Sequence, residues 1–128
     1  MKQFPLDIFG SRWVVLIGSH AEIPDMGKND SGSTDFTVRE IAIEDMTGTE
    51  GPGRWKDMNA GMKETLRHEI AHAALIECGL CTNRTFDHEQ VADWMATKVH
   101  ALHAVIVYAE STFDLIMKET QDGSPQLA

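Results

Sequence analysis

The stretch from about Met58 to Gly79 constrains the fold most, because its apolar residues recur every three or four positions. That spacing places them on one face of a helix. Asp57 and Asn59 are candidate N-caps, and Gly79 is a natural stop signal. The residues that share the apolar face are Met62, Leu66, Ile70, Ala73 and Ala74. Because such a helix needs a second layer to cover this face, we expect a sheet to pack against it.

The strands of that sheet should precede the helix. The segment 12–17 (RWVVLI) is β-branched and aromatic and lies between two Gly-Ser pairs, which is typical of a buried strand. The segment 20–34 is rich in Pro, Gly, Asn and Asp and predicts an exposed loop. The segment 36–45 (FTVREIAIED) predicts a strand whose apolar residues change parity, so a bulge or turn is expected near Arg39-Glu40.

A second helix should begin near 85–87, where Asp87 and Gln90 have the spacing of a capping box. Its apolar pattern continues to about Lys118, with a break expected near Ser111-Thr112. We therefore predict an α+β fold in which a small antiparallel β-sheet packs on the first helix and a second long helix completes the layer. Residues 1–119 should form a single domain, and 120–128 should form a flexible C-terminal tail.

The charge balance narrows the classes of partner. The chain has 11 Lys and Arg against 20 Asp and Glu, a formal net charge of -9. Such an acidic chain is poorly suited to phosphate backbones or anionic lipid surfaces, so we expect no nucleic-acid and no membrane partner. No secretory signal or membrane span is visible, which favours a cytoplasmic location. In that reducing compartment, Cys78 and Cys81 are not expected to form a structural disulfide.

The first predicted helix carries the sequence His68-Glu69-Ile70-Ala71-His72, an HExxH motif. Histidines at i and i+4 stand about 40° apart on a helix, so their imidazoles can chelate one ion. Glu69 lies about 100° round from His68 and can reach a metal-bound water without ligating the metal. A zinc ion would lower the pKa of that water and Glu69 would take its proton, which is the chemistry of a hydrolytic zinc site.

A catalytic zinc site usually takes a third protein ligand, and Glu89 is the best candidate. It lies 17 residues after His72, at the start of the second helix, which a tight turn would return antiparallel to the first. Asp93 follows at i+4 and is expected to accept the free N–H of a ligating imidazole and so fix its tautomer. The alternative interpretation of both carboxylates is a solvated acidic helix face.

Cys78 and Cys81 support a rival metal site. Together with His68 and His72 they supply four ligands with the pair spacings of a closed structural zinc site. That arrangement would require the chain to turn back from the end of the helix onto its histidines. Two ordinary reduced thiols in the turn between the helices are the alternative.

The runs LRHEIAHAAL (66–75) and DHEQVADWMA (87–96) resemble those of gluzincin metallopeptidases, and most closely those of the small ImmA/IrrE-type proteins. In that family a helix bearing E-x-x-A-[ND]-x-[FW]-A follows the HExxH helix. The resemblance implies a zincin-like fold, with His68, His72 and Glu89 as zinc ligands and Glu69 as general base and acid. It also implies that the strand 40–44 (EIAIE) is the edge strand along which a peptide substrate pairs.

The favoured hypothesis is accordingly a zinc-dependent metallopeptidase that hydrolyses peptide bonds in a specific intracellular protein. The family resemblance implies a narrow protein substrate, often a DNA-binding repressor. The alternative hypothesis is a catalytically weak or inactive zinc-binding module with a regulatory or interaction role. No residue is matched to the transition-state stabiliser of the family.

Overall fold

The computed structural model describes residues 1–49, 55–80 and 88–121, without the side chains of 88, 89, 93, 120 and 121. Within those residues the chain forms four strands followed by two helices. The elements are β1 (Lys2–Ile8), β2 (Ser11–Gly18), β3 (Gly32–Asp35), β4 (Glu40–Glu44), α1 (Met58–Glu77) and α2 (His88–Gln121). The α+β class predicted from the sequence is therefore confirmed.

The sheet is mixed, which corrects the prediction of an antiparallel sheet. Its strand order is β1-β2-β4-β3, with β1 antiparallel to β2, β4 parallel to β2 and β3 antiparallel to β4. The chain leaves β2 through the segment 19–31 and enters β3 at the far edge. A turn over 36–39, which ends on Arg39 at a φ of 53°, then returns it between β3 and β2. This crossover makes β4 run in the same direction as β2.

Two further strand predictions need correction. The segment 40–44 is an interior strand, because β3 covers its outer side, so the edge strand on that side of the sheet is Gly32–Asp35. The segment 20–34, predicted as a loop throughout, contains the start of that edge strand. Sequence analysis also missed β1, although its residues alternate between buried and exposed. Pro5 obscured that alternation, yet proline is tolerated because β1 is itself an edge strand.

The core lies between one face of the sheet and the two helices. α1 begins after Asp57, whose carboxylate accepts a hydrogen bond from Ala60 N at 3.0 Å, and Gly79 follows its end at a φ of 75°. Both predicted boundary signals are confirmed. The apolar face of α1 is buried against the sheet as expected, and its members are Met62, Leu66, Ile70, Ala73 and Ala74.

α2 runs antiparallel to α1. Lys63 pairs with Asp114 at 3.0 Å and Arg67 with Glu110 at 2.7 Å, so earlier residues of α1 meet later residues of α2. The helix is continuous through 111–112, where a break was predicted, because Phe113 is buried in the core there. Residues 122–128, most of the predicted tail, lie outside the described residues. No helix in the described part of the chain has the length and apolar character needed to cross a membrane.

Candidate metal centre

The two histidines of the HExxH motif converge on one point at the surface of α1. Nε2 of His68 lies 3.1 Å from Nε2 of His72, and the ring centroids are 4.8 Å apart in an edge-to-face arrangement. Two imidazoles at about 2.0–2.1 Å from one tetrahedral zinc ion would hold their nitrogens roughly 3.3–3.4 Å apart. The pair therefore fits a shared metal ion. The same distance also suits a hydrogen bond between two neutral rings, one of which donates.

Glu69 reaches towards the sheet and is only 7% exposed. Its Oε1 accepts a hydrogen bond of 2.9 Å from Oγ1 of Thr34, which also lies 3.2 Å from the backbone carbonyl oxygen of Glu69. Thr34 belongs to the edge strand β3. It is the single hydrogen-bond donor to this carboxylate among the residues that the structure describes, so the second carboxylate oxygen has no donor there.

The register of β3 explains why Thr34 reaches Glu69. Thr34 pairs with Ile41 and Gly32 pairs with Ile43, and both isoleucines face the helices. Cross-strand partners share a face of the sheet, so Gly32 and Thr34 face α1 as well. A Cβ on Gly32 would lie 2.7 Å from Cγ2 of Thr65 and 3.1 Å from Cγ of Glu69. Glycine is required because β3 and α1 approach this closely.

Glu69 and His68 line a shared pocket of about 450 Å³ between α1 and the segment that leads into β3. Its other lining residues are Asn29, Asp30, Ser31, Gly32, Trp55, Gly61, Glu64 and Thr65. Sequence analysis missed Thr34, Gly32 and Trp55 as neighbours of the site, because their proximity depends on the crossover of the sheet. Gly32 beside a short polar strand was the only local signal.

The predicted third ligand, Glu89, and its neighbour Asp93 have side chains outside the described residues, so both assignments stay predictions. The position of the surrounding backbone shows which part of α1 lies beside the start of α2. A small apolar pocket is lined by Leu75 and Leu80 from the end of the first helix and its turn, and by Gln90, Val91, Trp94 and Met95 of α2. The first turns of α2, which include Glu89, therefore lie beside the part of α1 that follows His72.

Among the described side chains, no three His, Cys, Asp or Glu residues are grouped closely enough to hold a metal ion. Cys78, the residue that caps the end of α1, is partly buried and is not in a disulfide. It is not grouped with His68 and His72 among the described residues. Cys81, the other thiol of the rival closed site, lies outside the described residues.

A second carboxylate of α1 contrasts with Glu69. Glu77, in the last turn, accepts hydrogen bonds from Arg39 Nε (2.7 Å), Trp13 Nε1 (2.8 Å) and Ser11 Oγ (2.9 Å). The hydrogen bond from Arg39 is the main reason why the pKa of Glu77 lies below its ordinary value. Partial burial opposes that shift, while Ser11, Trp13 and the charge of Arg39 add to it. Glu77 thus joins the end of α1 to β2 and to the turn before β4.

Comparison of the chain with family models, with curated proteins and with solved structures finds no match.

Proposed function

We propose that this protein is a zinc-dependent metallopeptidase in which His68 and His72 bind the metal, with Glu89 as the third ligand, and Glu69 is the general base. The observation that carries the proposal is the convergence of the two imidazole nitrogens, 3.1 Å apart, beside a pocket that a buried glutamate shares. Each of these three groups comes from one HExxH motif on one helix.

Zinc held by this pair would supply a Lewis acid that lowers the pKa of a water molecule and polarises the scissile carbonyl group. Glu69 accepts a proton from the attacking water and returns it to the leaving amine. The hydroxyl of Thr34 holds one carboxylate oxygen of Glu69, which fixes the side-chain conformation and leaves the other oxygen for the proton. A role for Asp93 in orienting a ligating imidazole fits the same scheme.

The outer edge of β3 offers a way to bind an extended peptide. A peptide that adds as a further strand would pair with the backbone of the segment 32–35, next to the pocket that contains Glu69. We propose a specific cytoplasmic protein as the substrate, and the resemblance to ImmA/IrrE-type proteins favours a repressor-type regulator. The net charge of -9 argues against nucleic acid and anionic membranes as partners.

A zinc-binding regulatory module without turnover is the second candidate. It is favoured by the fact that Oε1 of Glu69 is hydrogen-bonded to Thr34 of β3, at 2.9 Å, while the two imidazole nitrogens converge on each other. In that case the histidine pair would bind metal without an effective catalytic arrangement around it.

Zinc titration of the metal-free protein tests the first requirement. We expect about one zinc ion per chain, and we expect His68→Ala and His72→Ala each to weaken binding about 100-fold or more. His103→Ala is the matched control, because that histidine is exposed on α2, and it should bind zinc like the wild type. Equal zinc affinity in all four proteins would contradict the proposed site.

Hydrolysis is tested with a peptide library made by digesting a proteome with a glutamyl endopeptidase, which leaves internal Lys and Arg intact. Zinc-loaded protein should cleave library peptides, and Glu69→Gln should bind zinc normally but cleave at least about 100-fold more slowly. Normal zinc binding without cleavage by the wild type would support the regulatory module instead.

A further inference from the structure

We propose that the pocket beside His68 and Glu69 is a subsite that binds a Lys or Arg side chain of the substrate next to the scissile bond. The role of the pocket in substrate binding rests on the proposed peptidase function. Its preference for a cation can be tested without any cleavage.

An aromatic wall is the first feature of this pocket. Trp55 is 43% exposed, and its indole ring lies directly against Gly61, where any Cβ would collide with it. Gly61 therefore lets the ring pack on the first turns of α1 while part of its surface stays open to the pocket. An open indole is the side chain that attracts a cation most strongly through its ring face.

Unpaired negative charge is the second feature. Asp30 and Glu64 both line the pocket, and neither is in an ion pair with any residue that the structure describes. The backbone of Asp30 is held in place, because its carbonyl oxygen contacts Nε2 of His20 at 2.9 Å and its N–H donates to Gly27 O at 2.9 Å. No described Lys or Arg lines the pocket.

The spacing of these groups favours an organic cation over a metal ion. The carboxylates of Asp30, Glu64 and Glu69 line the same pocket, yet these three do not converge closely enough to hold a metal ion. A guanidinium or ammonium group spreads its donors over several acceptors and can stack on the indole as well.

The position of the pocket defines which substrate residue it would bind. Glu64 lies four residues before His68 on α1, so the two side chains are neighbours on the helix surface, about 5–6 Å apart at their Cβ atoms. A basic side chain held by Glu64 and Trp55 would therefore belong to a residue adjacent to the bond that Glu69 addresses. The negative charge of the pocket would thus favour substrates that have a basic residue next to the cleaved bond.

Binding is tested by NMR with the tripeptide acetyl-Gly-Arg-Gly-amide and its neutral isostere, in which citrulline replaces arginine. The arginine peptide should shift the indole N–H signal of Trp55, assigned with Trp55→Phe, and the amide signals of Gly32 and Thr65. The citrulline peptide should bind at least about tenfold more weakly.

The double variant Asp30→Asn/Glu64→Gln should remove the preference for arginine. Its charge-matched control is Asp25→Asn/Glu40→Gln, which alters a pocket on the other side of β3 and should keep the preference. Equal binding of the two peptides by the wild type, or an unchanged preference in the first double variant, would overturn the subsite.

Cleavage separates this inference from the proposed function. In the peptide library, cut sites should contain Lys or Arg at one fixed position, and the Asp30→Asn/Glu64→Gln variant should lose that preference while it still cleaves. Arginine binding without cleavage would contradict the peptidase function alone. Cleavage with no basic preference would contradict the subsite alone.

Discussion

Glu69 and Glu77 lie on the same helix, both reach the sheet and both are largely shielded from solvent, at 7% and 10% exposure. Among the described residues, Glu77 accepts hydrogen bonds from three side chains, on β2 and the turn before β4, whereas Glu69 accepts one, from Thr34. A carboxylate surrounded by donors is held in its charged form and serves the fold. A carboxylate with one donor beside a pocket keeps an oxygen available for proton transfer.

The largest expected difference between the two carboxylates is in stability. Glu77→Ala would leave the indole N–H of Trp13 without its acceptor, although Trp13 is fully buried, and would also remove the acceptor of Ser11. We expect the free energy of unfolding to fall by about 2–4 kcal/mol in urea titrations. Glu69→Ala should cost no more than about 1 kcal/mol, since one hydrogen bond is lost. Equal losses would contradict the distinction.

The next effect concerns the close approach of β3 to Glu69. Gly32→Ala would place a methyl group 2.7 Å from Cγ2 of Thr65, so we expect a loss of about 1–3 kcal/mol in thermal or urea unfolding. Thr65→Ser removes that methyl group of Thr65. The double variant Gly32→Ala/Thr65→Ser should therefore recover part of the loss, and a double variant as unstable as the sum of both changes would contradict this packing.

The stabilisation of the fold by Glu77 should decrease as the pH falls. Because its pKa in the folded protein lies below the ordinary value of 4.5, the unfolded chain binds the proton more readily. The stabilisation is complete above that ordinary value and is lost as the pH falls through the lower pKa of the folded state. The free energy of unfolding, measured between about pH 6 and pH 3, should therefore fall less steeply for Glu77→Gln than for the wild type.

Glu22 is the control for this pH experiment. Its hydrogen bond with the N-terminal ammonium group and those with Ser19 lower its pKa to about 2, so it contributes in the same direction. It is exposed at the surface and far from Glu77 in the sequence. Because Glu22→Gln removes only the contribution of Glu22, adding Glu77→Gln to that variant should flatten the acid dependence further, and no further flattening would contradict the role assigned to Glu77.

The smallest effect concerns Thr34, the donor to Glu69 in the part of the chain that the structure describes. Thr34→Val keeps the shape of the side chain but removes the hydroxyl, and we expect about 1 kcal/mol lower stability. Peptide hydrolysis should fall by up to about tenfold, because the carboxylate loses the bond that positions it. Thr34→Ser retains the hydroxyl and should restore both values towards those of the wild type. A serine variant as impaired as the valine variant would contradict the role of the hydrogen bond.

Much of the fold follows from local sequence signals. The boundaries of α1 are set by Asp57 and Gly79, and the apolar face of that helix lies on the sheet as its spacing predicts. The turn before β4 falls where the apolar parity changes, near Arg39. The order of the strands could not be predicted from the sequence. A crossover that inserts β4 between β2 and β3 leaves no periodic signal in the residues of these strands.

The candidate site shows the same division. His68, Glu69 and His72 were predicted because helical geometry alone relates them. Helical geometry does not relate Thr34 and Trp55 to the motif. They approach it only because of the path of the chain around the sheet and because Gly32 and Gly61 allow close contact. Local periodicity therefore relates the histidine pair and Glu69 on α1, but it does not reveal the residues that contact Glu69 or line the pocket.

In the proposed site the histidine pair of α1, and not the Cys78/Cys81 pair, binds zinc. X-ray absorption at the zinc K-edge of the loaded protein tests it directly. The proposed site predicts two imidazole ligands and only nitrogen or oxygen neighbours at about 2.0–2.2 Å, with no sulfur. Sulfur neighbours at about 2.3 Å would contradict it and would support the closed site.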